Sequence, residues 1–264
     1  MAEQTILALL VLLVIAVVIG VVLLRQARKR RIQESLRTLL GRDPRWRPDT
    51  ALCGRAPSQL AGRCPVTPRG DRRYGLEYVI TGPLDFVALG ETRTCWASCG
   101  LWWYEVEQTD TDEDGQTSRT YSRKEVPVVA VALPATLPAE ISIDSESLFG
   151  RIGLTRGGQQ VESDAFNRRF RVEGSDPTLT VQLLDAQLQH LLLAAYPKRS
   201  LWLAGDLVVI GGQTDRPDPS LSGPIRSLPG LQADAVDLLA NVPAQLWRAI
   251  GLPTTTGPPP PPTV

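Results

Sequence analysis

Residues 100–133 read GLWWYEVEQTDTDEDGQTSRTYSRKEVPVVAVAL, and this stretch decides the fold class. Two runs rich in Val, Trp and Tyr, 100–108 and 121–133, flank the polar segment 109–120. Such residues fit a pleated, half-buried surface. The polar segment contains Asp114-Gly115, and strand runs on either side of an Asp-Gly turn predict a β-hairpin, here with a long loop. Further strand runs lie upstream at 76–80 and 86–89, and Pro134 and Pro138 close this β-rich part.

Downstream the pattern changes. Ile141-Ser142-Ile143 alternates, and residues 169–172 (RFRV) read as a short strand. Asp176-Pro177 suits a helix start, because proline fits the first turn. Val181, Leu184, Leu188, Leu191 and Ala195 then share one face of a helix over 177–196, which Pro197 ends. Residues 200–203 and 207–210 flank Ala204-Gly205-Asp206 and predict a tight hairpin. Strand, helix and hairpin in this order give an α+β soluble domain over 76–212, a mostly antiparallel sheet with packed helices.

The flanks read differently. Residues 42–75 are rich in Pro, Gly and Arg with little periodicity, as expected of a linker. Residues 213–230 form a Pro-rich loop with Pro217, Pro219, Pro224 and Pro229. An amphipathic helix is expected over 231–251, with Val236, Leu239, Leu246 and Ile250 apolar and a break at Pro243. Residues 252–264 read as a disordered Pro-rich tail, whose five prolines at 258–262 favour polyproline II.

After a short tail of residues 1–4, residues 5–24 (TILALLVLLVIAVVIGVVLL) are twenty positions without a charge. A hydrocarbon core of about 30 Å needs about twenty apolar residues, so this stretch is expected to span a bilayer once. Arg25, Arg28, Lys29, Arg30 and Arg31 follow at once, whereas no Lys or Arg precedes the span. The positive-inside tendency then leaves the N-terminus outside and the domain in the cytoplasm. A cleavable signal peptide would want a basic start and a small-residue cleavage site; here Glu3 precedes the span and RQARKRR follows it. A buried core helix fits poorly too, since Leu, Val and Ile occupy every face. Beyond the span, Ile32, Leu36, Leu39 and Leu40 recur on one stripe, so a basic juxtamembrane helix is expected over 25–41. Its five leading cations are the expected membrane-surface contacts, facing anionic lipid headgroups.

Charge supports that assignment. The chain balances 28 cations against 28 acids, but residues 1–40 hold six cations and two acids, leaving 22 cations and 26 acids in the remainder. The soluble part thus has no general attraction for nucleic acid. Only three cations are lysine (Lys29, Lys124, Lys198), a bias that resembles the codon usage of a high-GC bacterium. Cys53, Cys64, Cys95 and Cys99 would suggest two disulfides in a secreted domain, but a cytoplasmic side predicts free thiols.

Residues 161–172, VESDAFNRRFRV, run on through Asp176 and the Leu183-Leu184 helix to the 202–210 hairpin. This resembles uncharacterised single-pass membrane proteins of actinobacteria, in which a Phe-Asn-Arg-Arg-Phe-type segment precedes an Asp, a Leu-rich helix and a closing hairpin. Ala165, where an acid is expected, and the Cys95–Cys99 pair depart from that pattern. The resemblance implies the topology and the order of parts, and carries no activity. The residues themselves suggest packing by Phe166, Phe170 and Val172, with Arg168 and Arg169 pairing Glu162 and Asp164.

Few patterns in the chain carry chemistry. Asp110, Asp112, Asp114 and Gly115 match the first half of an EF-hand loop, but Tyr121 stands where the bidentate Glu belongs. Cys95 and Cys99 form one short pair, whereas Cys53 and Cys64 are too far apart to complete a structural zinc signature. His190 is the only histidine and is expected on the solvent side of its helix, away from any triad. Residues 150–158 are Gly-rich but lack the phosphate-binding lysine. Trp96, Trp102, Trp103 and Tyr104 could stack on a ligand, yet no basic track surrounds them. No catalytic, cofactor or metal residue is assigned, and the chain is not read as an enzyme. The expectation is a single-pass, membrane-anchored protein-interaction module with an unknown protein partner and no nucleic acid. The alternative is a membrane-anchored ligand- or metal-sensing domain using Cys95, Cys99 or the acidic loop.

Overall fold

The structure is a computed structural model that describes residues 2–111, 116–134, 136–145, 159–196, 198–212, 218–221, 223–244 and 246–247, with side chains from Leu13 onward and Pro224 as backbone only. In chain order the elements are α1 (Ala2–Arg42), β1 (Arg47–Asp49), α2 (Pro57–Leu60), β2 (Tyr74–Ala88), β3 (Glu91–Thr111), β4 (Thr117–Ala132) and β5 (Ile141–Ser145). There follow α3 (Asp164–Asn167), β6 (Phe170–Gly174), α4 (Pro177–Leu183), α5 (Ala186–Ala195), β7 (Arg199–Ala204), β8 (Leu207–Gly212), a 3₁₀ turn (Gly223–Ser227) and α6 (Leu228–Ala240). The fold is α+β, as the sequence implies. Its sheet has eight strands in the order β1-β2-β3-β4-β8-β7-β5-β6. Each neighbouring pair is antiparallel.

The hairpin read from residues 100–133 is β3 and β4, paired from Trp96↔Ala132 to Thr111↔Thr117. The expected strands at 76–80 and 86–89 are one strand, β2, which runs straight through Gly82-Pro83. Gly82 is not a breaker here. A Cβ at that position would lie 2.6 Å from the Trp46 ring, so only glycine lets Trp46 pack flat on the strand. Leu89 and Gly90 (φ +55° and +82°) then turn the chain into β3 with both central residues left-handed, the geometry favoured by two-residue hairpins.

Alternation sorts the sheet into two buried faces. On one, Cys95, Ala97, Cys99 and Leu101 of β3 join Val129 and Val131 of β4 beneath α4, α5 and α6. On the other, Trp102, Val128, Ala130, Trp202 and Val209 lie beneath residues 52–66. A register shift between Glu77 and Ile80, centred on the left-handed Tyr78 (φ +56°), swaps the faces of β2. One extra residue in a strand has this effect because side chains alternate with period two. Leu76 accordingly packs with the second face, whereas Ile80 and Leu84 join the first.

Residues 42–75, expected as a linker, contribute β1 and α2 and bury Leu52, Leu60, Cys64 and Val66. The chain is pinned by single contacts rather than by a periodic face, so no pattern advertises it. Trp102 donates its indole N–H to the Pro68 carbonyl at 2.9 Å, and Cys53 N–H donates to Ser98 Oγ at 2.9 Å. The helix expected over 177–196 is two helices. Asp185 accepts a hydrogen bond from Leu188 N–H at 2.8 Å, capping α5 and breaking the path at Leu184. The rotation buries Leu183, Leu184, Leu188 and Leu192 and leaves Val181 exposed. The helix expected to begin at residue 231 starts at Leu228, with Pro229 in its first turn. Residues 248–264, with the five prolines, lie outside the described residues.

Candidate functional site

The five cations expected at the membrane surface, Arg25, Arg28, Lys29, Arg30 and Arg31, all lie on α1. Its C-terminal half belongs to the domain. Ile32 and Leu39 are buried, with Leu36 and Leu40 packed beside them, and α1 meets the 3₁₀ turn there. Two ion pairs bracket this contact. Arg42 pairs with Asp218 at 2.5 Å and donates to Ser220 Oγ at 3.0 Å. Hydrogen bonds from Ser220 and Arg42 hold the Asp218 carboxyl below the usual carboxylate range. At the other end, Arg28 donates to both oxygens of Glu125 on β4, at 3.0 and 2.8 Å. Glu125 also accepts from Arg123 at 3.0 Å, and Arg123 reaches Glu77 at 2.8 Å while lying over the Trp103 ring at 4.5 Å. α1 is therefore fastened to the domain at three points: the sheet through Glu125, the segment before the 3₁₀ turn through Asp218, and the apolar contact between them.

Arg25, Arg28, Lys29, Arg30 and Arg31 are all exposed. Of these, Arg28 alone has an ion-pair partner among the described residues. Arg28 and Arg31, with Leu24, Ala27, Ile32 and Gly223, line a groove of about 290 Å³ between α1 and the 3₁₀ turn. Lys29 and Arg30 are not part of this stripe. N-terminal to the groove, the large apolar side chains from Leu13 to Leu24 are 43–73% exposed. Among the described residues no helix is long and apolar enough to cross a membrane. The expected span over 5–24 falls partly outside the described side chains, which begin at Leu13.

The remaining sequence candidates are dispersed. Cys53 and Cys64 pack on one face of the sheet, and Cys95 and Cys99 on the other, so the four sulfurs converge on no common point. All four are buried free thiols; burial pushes Cys53 and Cys95 up to about 12 and raises Cys64 and Cys99 as well. Thiols held protonated in this way are poor ligands and nucleophiles. Among the described residues no three His, Cys, Asp or Glu side chains gather into a metal site. Residues 112–115 of the acidic loop and residues 150–158 lie outside the described residues.

Trp102 is fully buried and stacks on Tyr74 with centroids 5.9 Å apart, while Trp103 carries Arg123. The aromatic run is thus divided between core and ion-pair network. His190 is exposed. In the Phe-Asn-Arg-Arg-Phe segment, Phe166 and Phe170 stack at 4.7 Å in the core. Arg168 and Arg169 form no ion pair among the described residues; Asn167 holds the segment instead, bonding both backbone groups of Val161 at 3.0 and 2.7 Å. Glu125 and Gly223 escaped the sequence reading, because nothing local marks a partner 97 positions from Arg28. Set against protein-family models, curated proteins and solved structures, the chain has no match.

Proposed function

We propose that the chain is a single-pass membrane-anchored protein that holds an α+β domain, as an interaction module, at the cytoplasmic face of the cell membrane. The observation that carries the anchor is the exposure of Leu13–Leu24 around the whole helix, immediately before five cations. A helix apolar on every side needs a nonaqueous surrounding. The described part of this surface is continuous with the uncharged residues 5–12, giving the length a bilayer requires. Four unpaired thiols support the reducing side of the membrane.

The interaction reading is supported by the β3–β4 hairpin. β4 pairs with β8 only from Val128 to Ala132, so among the described residues Thr117–Pro127 has a partner strand on one side alone. This arm begins beside Glu125, where α1 is fastened, and is polar and exposed toward its tip. A free strand edge can pair with an added strand of another protein. The separation of the cysteines over two sheet faces gives no support to the metal-sensing alternative.

Topology mapping tests the proposal, with reporters fused at the N-terminus and after Val264 of the full chain. A reporter active only in the cytoplasm at the C-terminal fusion, with the chain resisting alkaline extraction from membranes, is the expected result. A C-terminus outside would overturn the orientation, and complete alkaline extraction would overturn the anchor.

A further inference from the structure

The groove between α1 and the 3₁₀ turn differs from a general basic surface in three respects. Its volume of about 290 Å³ is near the lower limit of small-ligand pockets, about 300 Å³. Its lining is divided by chemistry: Leu24, Ala27 and Ile32 are apolar, Arg28 and Arg31 are cationic, and no acid is among the described residues that line it. Its position is the junction where the apolar stretch ends and the cations begin. The five α1 residues follow i, i+3, i+4, i+7, i+8 spacing, one face of a helix, over about 12 Å of axis. Lys29 and Arg30 fall on other faces. Gly223 opposite them carries no side chain into the space; even a Cβ there would come no nearer than 3.7 Å to Ile32.

We infer that this groove binds the headgroup of one anionic phospholipid, its phosphate on Arg31 and Arg28 and its upper acyl carbons along Leu24 and Ala27. The inference rests on the anchor reading, since only an inserted α1 brings the groove to headgroup depth. A planar guanidinium binds phosphate through paired charge-assisted hydrogen bonds. Arg31 has no ion-pair partner among the described residues and is available for this role. Arg28 is shared with Glu125, so the lipid phosphate competes with a carboxylate. A diffuse electrostatic attraction would use all five cations alike. A groove uses two of them and the apolar wall.

The test takes the full chain in nanodiscs of phosphatidylcholine with a minority of phosphatidylglycerol, transferred to neutral detergent, and counts retained lipids by native mass spectrometry. One retained phosphatidylglycerol is expected for the natural chain. R31Q lowers that occupancy by about tenfold, the size of one lost charge-assisted contact, and A27F lowers it by filling the space the headgroup needs. R30Q removes the same charge from another face and leaves occupancy unchanged. A27F keeps every charge and sits on an exposed helical position, so its effect reports the groove itself. Equal losses in R30Q and R31Q, or full retention in A27F, would overturn the inference while leaving the anchor standing. Failure of the natural chain to enter nanodiscs at all would instead overturn the anchor.

Discussion

Arg28 on α1 grips both carboxylate oxygens of Glu125 on β4, at 3.0 and 2.8 Å, across 97 positions of sequence. The pair ties the start of the packed half of α1 to the sheet. It is more a tether than a source of stability: Arg28 is 58% exposed, and exposed pairs contribute about 0.2–1 kcal/mol. A double-mutant cycle on R28Q and E125Q is expected to give a coupling in that range, shrinking as salt rises. E125Q should also increase retention of phosphatidylglycerol, because Arg28 is released. A coupling well above 1 kcal/mol, or lower lipid retention in E125Q, would refute this view.

Arg199 and Asp234 form the opposite case. Arg199 on β7 donates through Nε and Nη2 to one oxygen of Asp234 on α6, at 2.8 and 2.5 Å, with both side chains about 95% buried. Removing one partner strands a charge in the core, at a cost of about 3–5 kcal/mol. R199M is expected to lose that much in denaturant melts, and the double change R199M/D234L to recover a good part of it. A double variant no better than R199M would show that the pair does more than neutralise itself.

Legibility from sequence followed physical range. The 100–133 hairpin was readable because alternation and turn chemistry are local, and so was the joint between apolar and basic segments. Gly82-Pro83 looked like an interruption because the reason for the glycine, Trp46, comes from another segment. The break in the 177–196 helix did leave a signal: Asp185 is a good cap for α5, but the apolar spacing across it was regular enough to hide the change of phase. Burial of Leu52 and Val66 had no periodic trace at all, as expected of irregular chain laid on a sheet. The cations of the site were plain in the sequence. The groove was not, because Gly223 reaches α1 only through the fold.

Asn167 is the fixed point of the Phe-Asn-Arg-Arg-Phe segment. Its side-chain amide accepts from Val161 N–H and donates to Val161 C=O, clamping the approach to α3, while Phe166 fills the core. N167A leaves two backbone groups of Val161 without these partners and should cost about 1–3 kcal/mol. F166A opens a cavity and should cost about 3–5 kcal/mol. R168A and R169A, changes at exposed positions, should fall within about 0.5 kcal/mol of the natural chain. Denaturant midpoints of the four variants measure the order; an arginine variant as damaging as N167A would restore the ion-pairing view.

The buried thiols make stability depend on alkaline pH. Cys53 and Cys95 are raised from 9.0 to about 12 by burial, so between those values the unfolded chain has ionised its thiols while the folded chain still holds the protons. The folded state then binds more protons, and stability falls with rising pH. It is fully present below pH 9 and is lost progressively up to about pH 12. Melting temperature should therefore decline over that window more steeply in the natural chain than in C53A or C95A, each variant having lost one titrating group. Native thiol reagents at pH 8 should label the four cysteines slowly, and quickly after denaturation. A flat melting profile from pH 9 to 11, or equal slopes in the alanine variants, would sink this account.

Gly211 and Val66 tie the irregular segment to the sheet. A Cβ on Gly211 would lie 2.0 Å from Val66 Cγ1, closer than any real contact, so β8 must present bare backbone where residues 52–66 cross it. G211A is expected to destabilise by about 1–3 kcal/mol through overpacking. V66A alone should also destabilise, by about 1–3 kcal/mol, because it opens a small void. The two changes together exchange one methyl for the space of another, so G211A/V66A should be more stable than the sum of the single losses by at least about 1 kcal/mol. Chemical denaturation of the three variants measures that coupling. Strict additivity would mean that residues 52–66 rest on the sheet without Val66 being fitted to Gly211.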